Sequence, residues 1–268
     1  MSPLHLESSG SADHPLLVLL HGWGSHSGVW ESVTADLEKH FHLHKIDLPG
    51  HGYSRCQPAE PSDFASTVEA VAAVILMQVS PHRKIMLCGW SLGGQVALAV
   101  ASRWPSRVQG LLLVAATPCF VGRADWPQGM DVAVLQQFSA DLNLNYAKTL
   151  QRFLALQMRG SEAGDALLML LRKELFARGE PSPAALQAGL RMLMENDLRA
   201  TCRKITQPVW LLHGETDTIA APAAAIWMQQ NIPRAELSLL PGCGHAPFLS
   251  HPQAFIEAAL AMRYATPQ

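Results

Sequence analysis

The sequence predicts an α/β fold, a mostly parallel sheet with helices on both faces and an inserted helical cap. Three observations lead there. Short, continuous apolar runs alternate with stretches of helical character, the pattern of parallel strands buried on both faces. One long segment, from about Phe120 to Asp197, breaks that rhythm and shows no strand of its own. The chain, at 268 residues, is long enough for one large α/β domain carrying an insertion.

The elements follow in order. Leu16-Leu17-Val18-Leu19-Leu20, closed by His21-Gly22, reads as a buried parallel strand. Phe41 to Leu48 is a second, closed by Pro49-Gly50-His51-Gly52, and residues 66–79 look helical. Lys84 to Cys88 is a third strand, leading into a helix from about Ser91 to Arg103, and Val108 to Ala115 is a fourth. Val209 to Leu212 and Ala235 to Leu239 are two more, with helices at about 221–230 and 252–263. The intervening segment reads as several helices punctuated by Pro127, Gly160, Gly179 and Pro181. Residues 1–119 and 198–268 are thus expected to form the core, and 120–197 a lid above it.

Composition narrows the function classes. With 49% apolar and 16% charged residues, the chain suits a compact enzyme rather than a disordered segment. A formal net charge of -2 leaves no basic footprint for nucleic acid. The cysteines, Cys56, Cys88, Cys119, Cys202 and Cys243, are odd in number and form no CxxC, so neither a disulfide framework nor a zinc site is expected. No run approaches the roughly 18 apolar residues of a membrane helix. MSPLHLESSGSADHP has no basic start or apolar core of signal type, so the expectation is a soluble cytoplasmic protein with no membrane partner; a monomer is expected, although no sequence feature fixes self-association.

Gly89-Trp90-Ser91-Leu92-Gly93 matches G-x-S-x-G, a nucleophile elbow, between an expected strand and an expected helix. The turn is so sharp that side chains two positions from the serine would collide, hence the glycines. It lifts the serine hydroxyl clear and aims the first helical amides at the reaction centre. The alternative is a serine N-cap on an ordinary helix. A serine needs a base, and the base an orienting acid. Of twelve histidines, His245 stands out in a Gly-rich loop, Gly242-Cys243-Gly244-His245, after the last strand; His251, before Pro252, reads as structural. The acid is Asp217, after the strand Val209 to Leu212, with Glu215 as its rival. The second oxyanion donor should come from His21-Gly22-Trp23-Gly24, making the amides of Trp23 and Leu92 the pair. An exposed Trp23 would wall an acyl pocket; core packing is its other possible role. His21 and the Asp47 loop are assigned no chemistry. The triad supplies nucleophile, base and orienter, so no metal and no organic cofactor is implied.

HGWG, DLPGHGYS, GWSLGG, HGETD and GHAPF stand in the order of the α/β-hydrolase superfamily, which the chain resembles over nearly its whole length. Pro118-Cys119-Phe120, Asp125-Trp126-Pro127, Arg152-Phe153-Leu154-Ala155-Leu156-Gln157, Asp197-Leu198-Arg199 and His245-Ala246-Pro247-Phe248 sharpen the match. They resemble the pimeloyl-acyl carrier protein methyl ester carboxylesterases of biotin synthesis. The resemblance implies that Ser91 attacks the methyl ester, methanol leaves, and water frees the acyl-enzyme. It implies substrate contacts at Trp23, Ser91, Leu92, Phe153, Leu154, Ala155, Leu156, Gln157 and His245. It also implies that basic cap side chains hold an acidic acyl carrier protein, through Lys148 and Arg152. Arg159, Arg172 and Lys173 lie where the sequence departs from the expected pattern.

Residues 146–159, taken as one helix, place Lys148, Arg152 and Arg159 within roughly 40° of one another. Tyr146, Leu150, Phe153 and Leu154 gather opposite, joined by Gln157, and no acid lies between Leu142 and Ser161. One face would be a basic stripe, the other a pocket cover; the plainer reading is a solvated amphipathic face. A buried Gln157 amide would need a hydrogen-bond partner such as substrate. A broad short-chain esterase, a thioesterase or a carbon–carbon bond hydrolase would share the triad. A non-catalytic ligand-binding module would be expected to have lost part of it.

Overall fold

Seven strands build one sheet in the computed structural model, which describes residues 4–54, 63–161, 164–178 and 181–266. Cys56 and Gly179 lie outside the described residues. The strands are β1 (Leu6–Ser9), β2 (Leu16–Leu20), β3 (His42–Ile46), β4 (Ile85–Trp90), β5 (Val108–Val114), β6 (Val209–Gly214) and β7 (Ala235–Leu240). Their spatial order is β1-β3-β2-β4-β5-β6-β7. β1 pairs antiparallel with β3, and the other pairings are parallel. β1 was not expected: Leu-Glu-Ser-Ser is short, mixed in polarity and half exposed at the sheet edge.

The helices are α1 (Glu31–Leu37), α2 (Phe64–Gln78), α3 (Leu92–Arg103), α4 (Val132–Leu144), α5 (Tyr146–Met158), α6 (Gly164–Ala177), α7 (Pro183–Glu195), α8 (Arg199–Cys202), α9 (Pro222–Asn231), α10 (Pro247–Ser250) and α11 (Pro252–Ala265). α2 begins earlier than its apolar pattern suggests because Asp63 caps it, accepting from Ser66 N at 2.7 Å. α1 was missed, its seven residues being too few to show a clear period.

The apolar runs are continuous because both sheet faces are covered. Side chains alternate along each strand. Leu17, Leu19, Met86, Cys88, Leu112 and Val114 pack into one core, with Val33 and Leu37 of α1, Phe255 and Met262 of α11, and the cap. Leu16, Val18, Leu20, Ile85, Leu87, Leu111 and Leu113 pack into the other, under α2, α3 and α9.

The cap helices α4 to α7 fall between β5 and β6, and the chain on either side is joined. Cys119 and Asp197 form an antiparallel bridge, and Leu198 N donates to Pro118 O at 2.8 Å. The Arg199 guanidinium holds this base together, reaching Asp197 Oδ2 at 2.6 Å and Asp125 Oδ2 at 2.9 Å. At the far side Arg178, just past α6, reaches Glu7 Oε2 and Ser27 Oγ, each at 2.7 Å. Cys88, Cys119, Cys202 and Cys243 are buried and free. Among the described residues no helix is long and apolar enough to cross a membrane.

Candidate active site

Ser91 sits where β4 turns into α3, at φ 55° and ψ -116°. Such a backbone costs a non-glycine residue roughly 1–3 kcal/mol, so its surroundings must enforce it. They do: Ser91 N donates to Val114 O at 3.0 Å, and Ser91 O accepts from Gly94 N at 2.9 Å and Gln95 N at 3.3 Å. The flanking glycines are a steric requirement. A Cβ on Gly89 would lie 2.3 Å from Gly93 O, and one on Gly93 would lie 2.4 Å from Leu20 O. Leu92, the first residue of α3, carries one of the amides a helix start leaves without an intrahelical acceptor. The HGWG loop lies against the elbow: a Cβ on Gly22 would be 3.3 Å from Ser91 Cβ.

His245 and Asp217 meet in the loops after β7 and β6. Asp217 Oδ2 accepts from His245 Nδ1 at 2.8 Å, both side chains being buried. Asp217 Oδ1 accepts from Ile219 N at 2.8 Å and Ala220 N at 3.0 Å. Burial alone would push the Asp217 carboxyl up. The His245 imidazole facing it, with hydrogen bonds from His213 and His245, outweighs burial and holds it well below the usual carboxylate range. A carboxylate only accepts, so the proton sits on Nδ1 of His245. Its Nε2 is buried and has no hydrogen-bond partner among the described residues, which leaves a lone pair for a general base.

The alternative residues have other surroundings. Glu215 is exposed. His251 Nδ1 meets Ser250 Oγ at 2.9 Å. His21 uses both nitrogens, Nδ1 donating to Gly22 O at 2.8 Å and Nε2 accepting from Leu48 N at 2.9 Å. Burial drives its pKa down to about 3. Asp47 shapes its loop by accepting from Ser27 N at 2.6 Å and Tyr53 N at 2.8 Å.

Sequence reasoning missed Trp90. Its Nε1 donates to His245 O at 2.7 Å and its ring lies 5.8 Å from the imidazole, so the residue before the serine holds the histidine loop against the elbow. Only its place inside the motif hinted at this. His213 was also missed. Its Nε2 donates to Ala220 O at 2.8 Å and lies 3.4 Å from Asp217 Oδ2.

Several expectations need correction. Trp23 is not exposed: it is 2% accessible, because α7 lies on it. A Cβ on Gly189 would stand 2.4 Å from its ring, and its Nε1 donates to Leu186 O at 2.8 Å. It still walls the space above the elbow, meeting Phe153 edge-on at 4.7 Å and Phe138, unforeseen from sequence, at 5.6 Å. Leu154 and Gln157 are buried on that side of α5, and Gln157 Oε1 is unpartnered among the described residues. Ala155 and Leu156 are not: helical geometry turns them outward, into a groove with Arg152, Arg159, Asp165 and Leu168.

The basic stripe changes too. Arg159 lies beyond α5, in extended conformation, because the chain turns at Gly160 with φ 81°. Arg152 is not unopposed, since Asp141 of α4 meets it at 3.0 Å. Lys148 is exposed and makes no ion pair among the described residues, and Arg172 and Lys173 are exposed on α6.

A family model for the alpha/beta hydrolase fold matches residues 15–252. The pimeloyl-acyl carrier protein methyl ester esterase of Nitrosomonas europaea is 49% identical to this chain over 258 residues, 96% of this chain and 98% of that one. The protein of the same name from Nitrosospira multiformis is 44% identical over 254 residues, 94% and 95% of the two chains. Among solved structures, an esterase from Exiguobacterium antarcticum matches with a TM-score of 0.87 at 25% identity, over 98% of this chain and 96% of that one.

Proposed function

This chain belongs to the α/β-hydrolase fold family and, within it, to the pimeloyl-acyl carrier protein methyl ester esterases, and on that premise we propose that it cleaves the methyl ester of pimeloyl-acyl carrier protein. The observation that carries the mechanism is the buried Asp217–His245 pair, with Nε2 left unpartnered, held beside the Ser91 elbow.

In this reading, His245 Nε2 takes the Ser91 hydroxyl proton as Oγ attacks the ester carbonyl carbon. The carbonyl electrons move to oxygen, and the amides of Leu92 and Trp23 stabilise that charge. Collapse of the tetrahedral intermediate breaks the bond to methoxide, which takes the proton from His245 and leaves as methanol. A water then attacks the acyl-enzyme, giving its proton to His245, and Ser91 recovers a proton as the free carboxylic acid departs. Asp217 stays ionised and stabilises the transient imidazolium. No metal or cofactor has a role in these steps.

The acyl chain is read as lying against Trp23, Leu92, Phe153 and Leu154, with the Gln157 amide offering it a polar contact. Ala155 and Leu156 are reassigned to the outer groove. Arg152 and Arg159 line that groove, and with the exposed Lys148 of α5 they supply positive charge for an acidic acyl carrier protein. We read residues 1–119 and 198–268 as catalytic core, 120–197 as cap, and the protein as a cytoplasmic monomer.

Mass spectrometry of pimeloyl-acyl carrier protein methyl ester tests this directly, with Ser91→Ala alongside. Loss of the methyl group with the carrier thioester intact, absent in the variant, is the expected result. No demethylation while small esters are still hydrolysed would overturn the substrate and leave a serine esterase of other specificity.

A further inference from the structure

The turn that ends α5 is joined to both loops that carry the acid–base pair. Gln157 O accepts from His245 N at 3.0 Å, and Ser161 Oγ accepts from Gly244 N at 3.0 Å. Gly160 O accepts from Thr216 Oγ1 at 2.9 Å. The single Thr216 hydroxyl proton is shared with Cys243 O at 2.8 Å, and Thr216 N donates to the same oxygen at 3.1 Å. The Asp217 loop, the His245 loop and the cap therefore converge on one cluster of hydrogen bonds, main-chain and hydroxyl.

The packing there leaves little slack. A Cβ on Gly244 would lie 2.7 Å from Arg159 O and 2.9 Å from Ser161 Oγ. A Cβ on Gly160 would lie 2.6 Å from Thr216 Oγ1. The two consecutive amides that precede and carry the imidazole, those of Gly244 and His245, both donate to the cap rather than to the core. The ring itself is fixed at Nδ1 alone among the described residues, because Nε2 must stay open to work. Where the ring points thus depends on where its backbone is held.

We propose that Ser161 is a positioning residue for His245, and that the Gln157–Ser161 turn makes the cap part of the catalytic apparatus. Displacing α5 displaces the base. The proposal rests on the serine-esterase reading of the site and not on which acyl group it takes.

The test uses the full chain and p-nitrophenyl butyrate, a small ester that needs no carrier protein. Ser161→Ala removes the acceptor and Thr216→Val removes the donor on the other side of the junction. Each is expected to lower kcat about tenfold while KM stays within about twofold, as mis-positioning of a base should. Ser161→Thr, which keeps the hydroxyl, is expected to restore kcat. The rate at which a fluorophosphonate labels Ser91 needs the same base and no acyl specificity, and should fall in parallel. Unfolding temperatures within a few degrees of the parent exclude a general loss of fold. Unchanged kcat and labelling in both variants, a change in KM alone, or failure of threonine to rescue would each overturn the proposal. Hydrolysis of the small ester without demethylation of the carrier-borne one would instead remove the substrate assignment and leave this inference standing.

Discussion

Replacing Asp217 by asparagine exchanges one carboxylate oxygen for an amide nitrogen at a side chain that is 0% exposed. The shape is kept. The asparagine oxygen can still accept from Ile219 N and Ala220 N, so the loop retains its anchors. The amide nitrogen then faces His245 Nδ1 across 2.8 Å, a donor against a donor. The imidazole relieves this by moving its proton to Nε2, the atom that must accept the proton of Ser91. The wrong tautomer, with no negative charge to stabilise the imidazolium, should lower kcat about 10⁴-fold. At 1.36 kcal/mol per tenfold that is about 5 kcal/mol of transition-state stabilisation. Steady-state kinetics on a small ester measure it, with KM expected to stay near the parent and the unfolding temperature to move little. Glu215→Gln should be silent. A loss below tenfold in Asp217→Asn would refute the reasoning and place the orienting acid elsewhere.

Trp90→Phe keeps an aromatic ring but removes both the donor to His245 O and part of a fully buried indole; it should cost about 3 kcal/mol in stability and lower kcat, and an unchanged melting temperature would sink the bracing role. The buried histidines predict an acid-side loss of stability. His21 has a folded pKa of about 3, below its unfolded value near 6.5, so the unfolded chain takes up the proton first. Its contribution is fully present above pH 6.5 and shrinks below it, by roughly 2 kcal/mol at pH 5. His51, pushed the same way by burial, adds to that slope, whereas Asp217 affects stability only as pH falls below the usual carboxylate range. Urea unfolding at pH 7.5 and pH 5 should show the drop, and a flat profile would contradict it. Reversing Lys148 and Arg152 to glutamate should raise KM for the carrier-borne ester several-fold and spare a small ester, since rim charges act on encounter; equal losses on both would assign the two side chains to folding.

What could be read from sequence was what local pattern encodes. The strands announced themselves because both faces are buried, as in Leu16–Leu20. The elbow was legible because its glycines answer a clash within the same turn. The meeting of Asp217 with His245 was legible because each follows a strand of the same sheet edge. What sequence could not show depends on contacts between distant segments. Trp23 is buried by Gly189, far along the chain, and Arg152 finds Asp141 on a neighbouring helix. Ala155 and Leu156 are a different case: the helical period of residues 146–159 already sends them outward, and the motif they share with inward residues hid it. β1 has no apolar alternation to report because an edge strand faces water.

The bridge between Cys119 and Asp197 bears on how such a protein can change over evolutionary time. The chain leaves the sheet and returns to it at one point, and that point is closed by its own hydrogen bonds and the Arg199 fork. Because the two ends of the cap are tied to each other, a change in the length or surface of the intervening helices would not have to alter the register of β5 on β6. The junction at Gln157–Ser161 limits that freedom. A replacement cassette must present two acceptors to Gly244 and His245, so the part of the cap free to diversify is its outer face, where a carrier would be recognised.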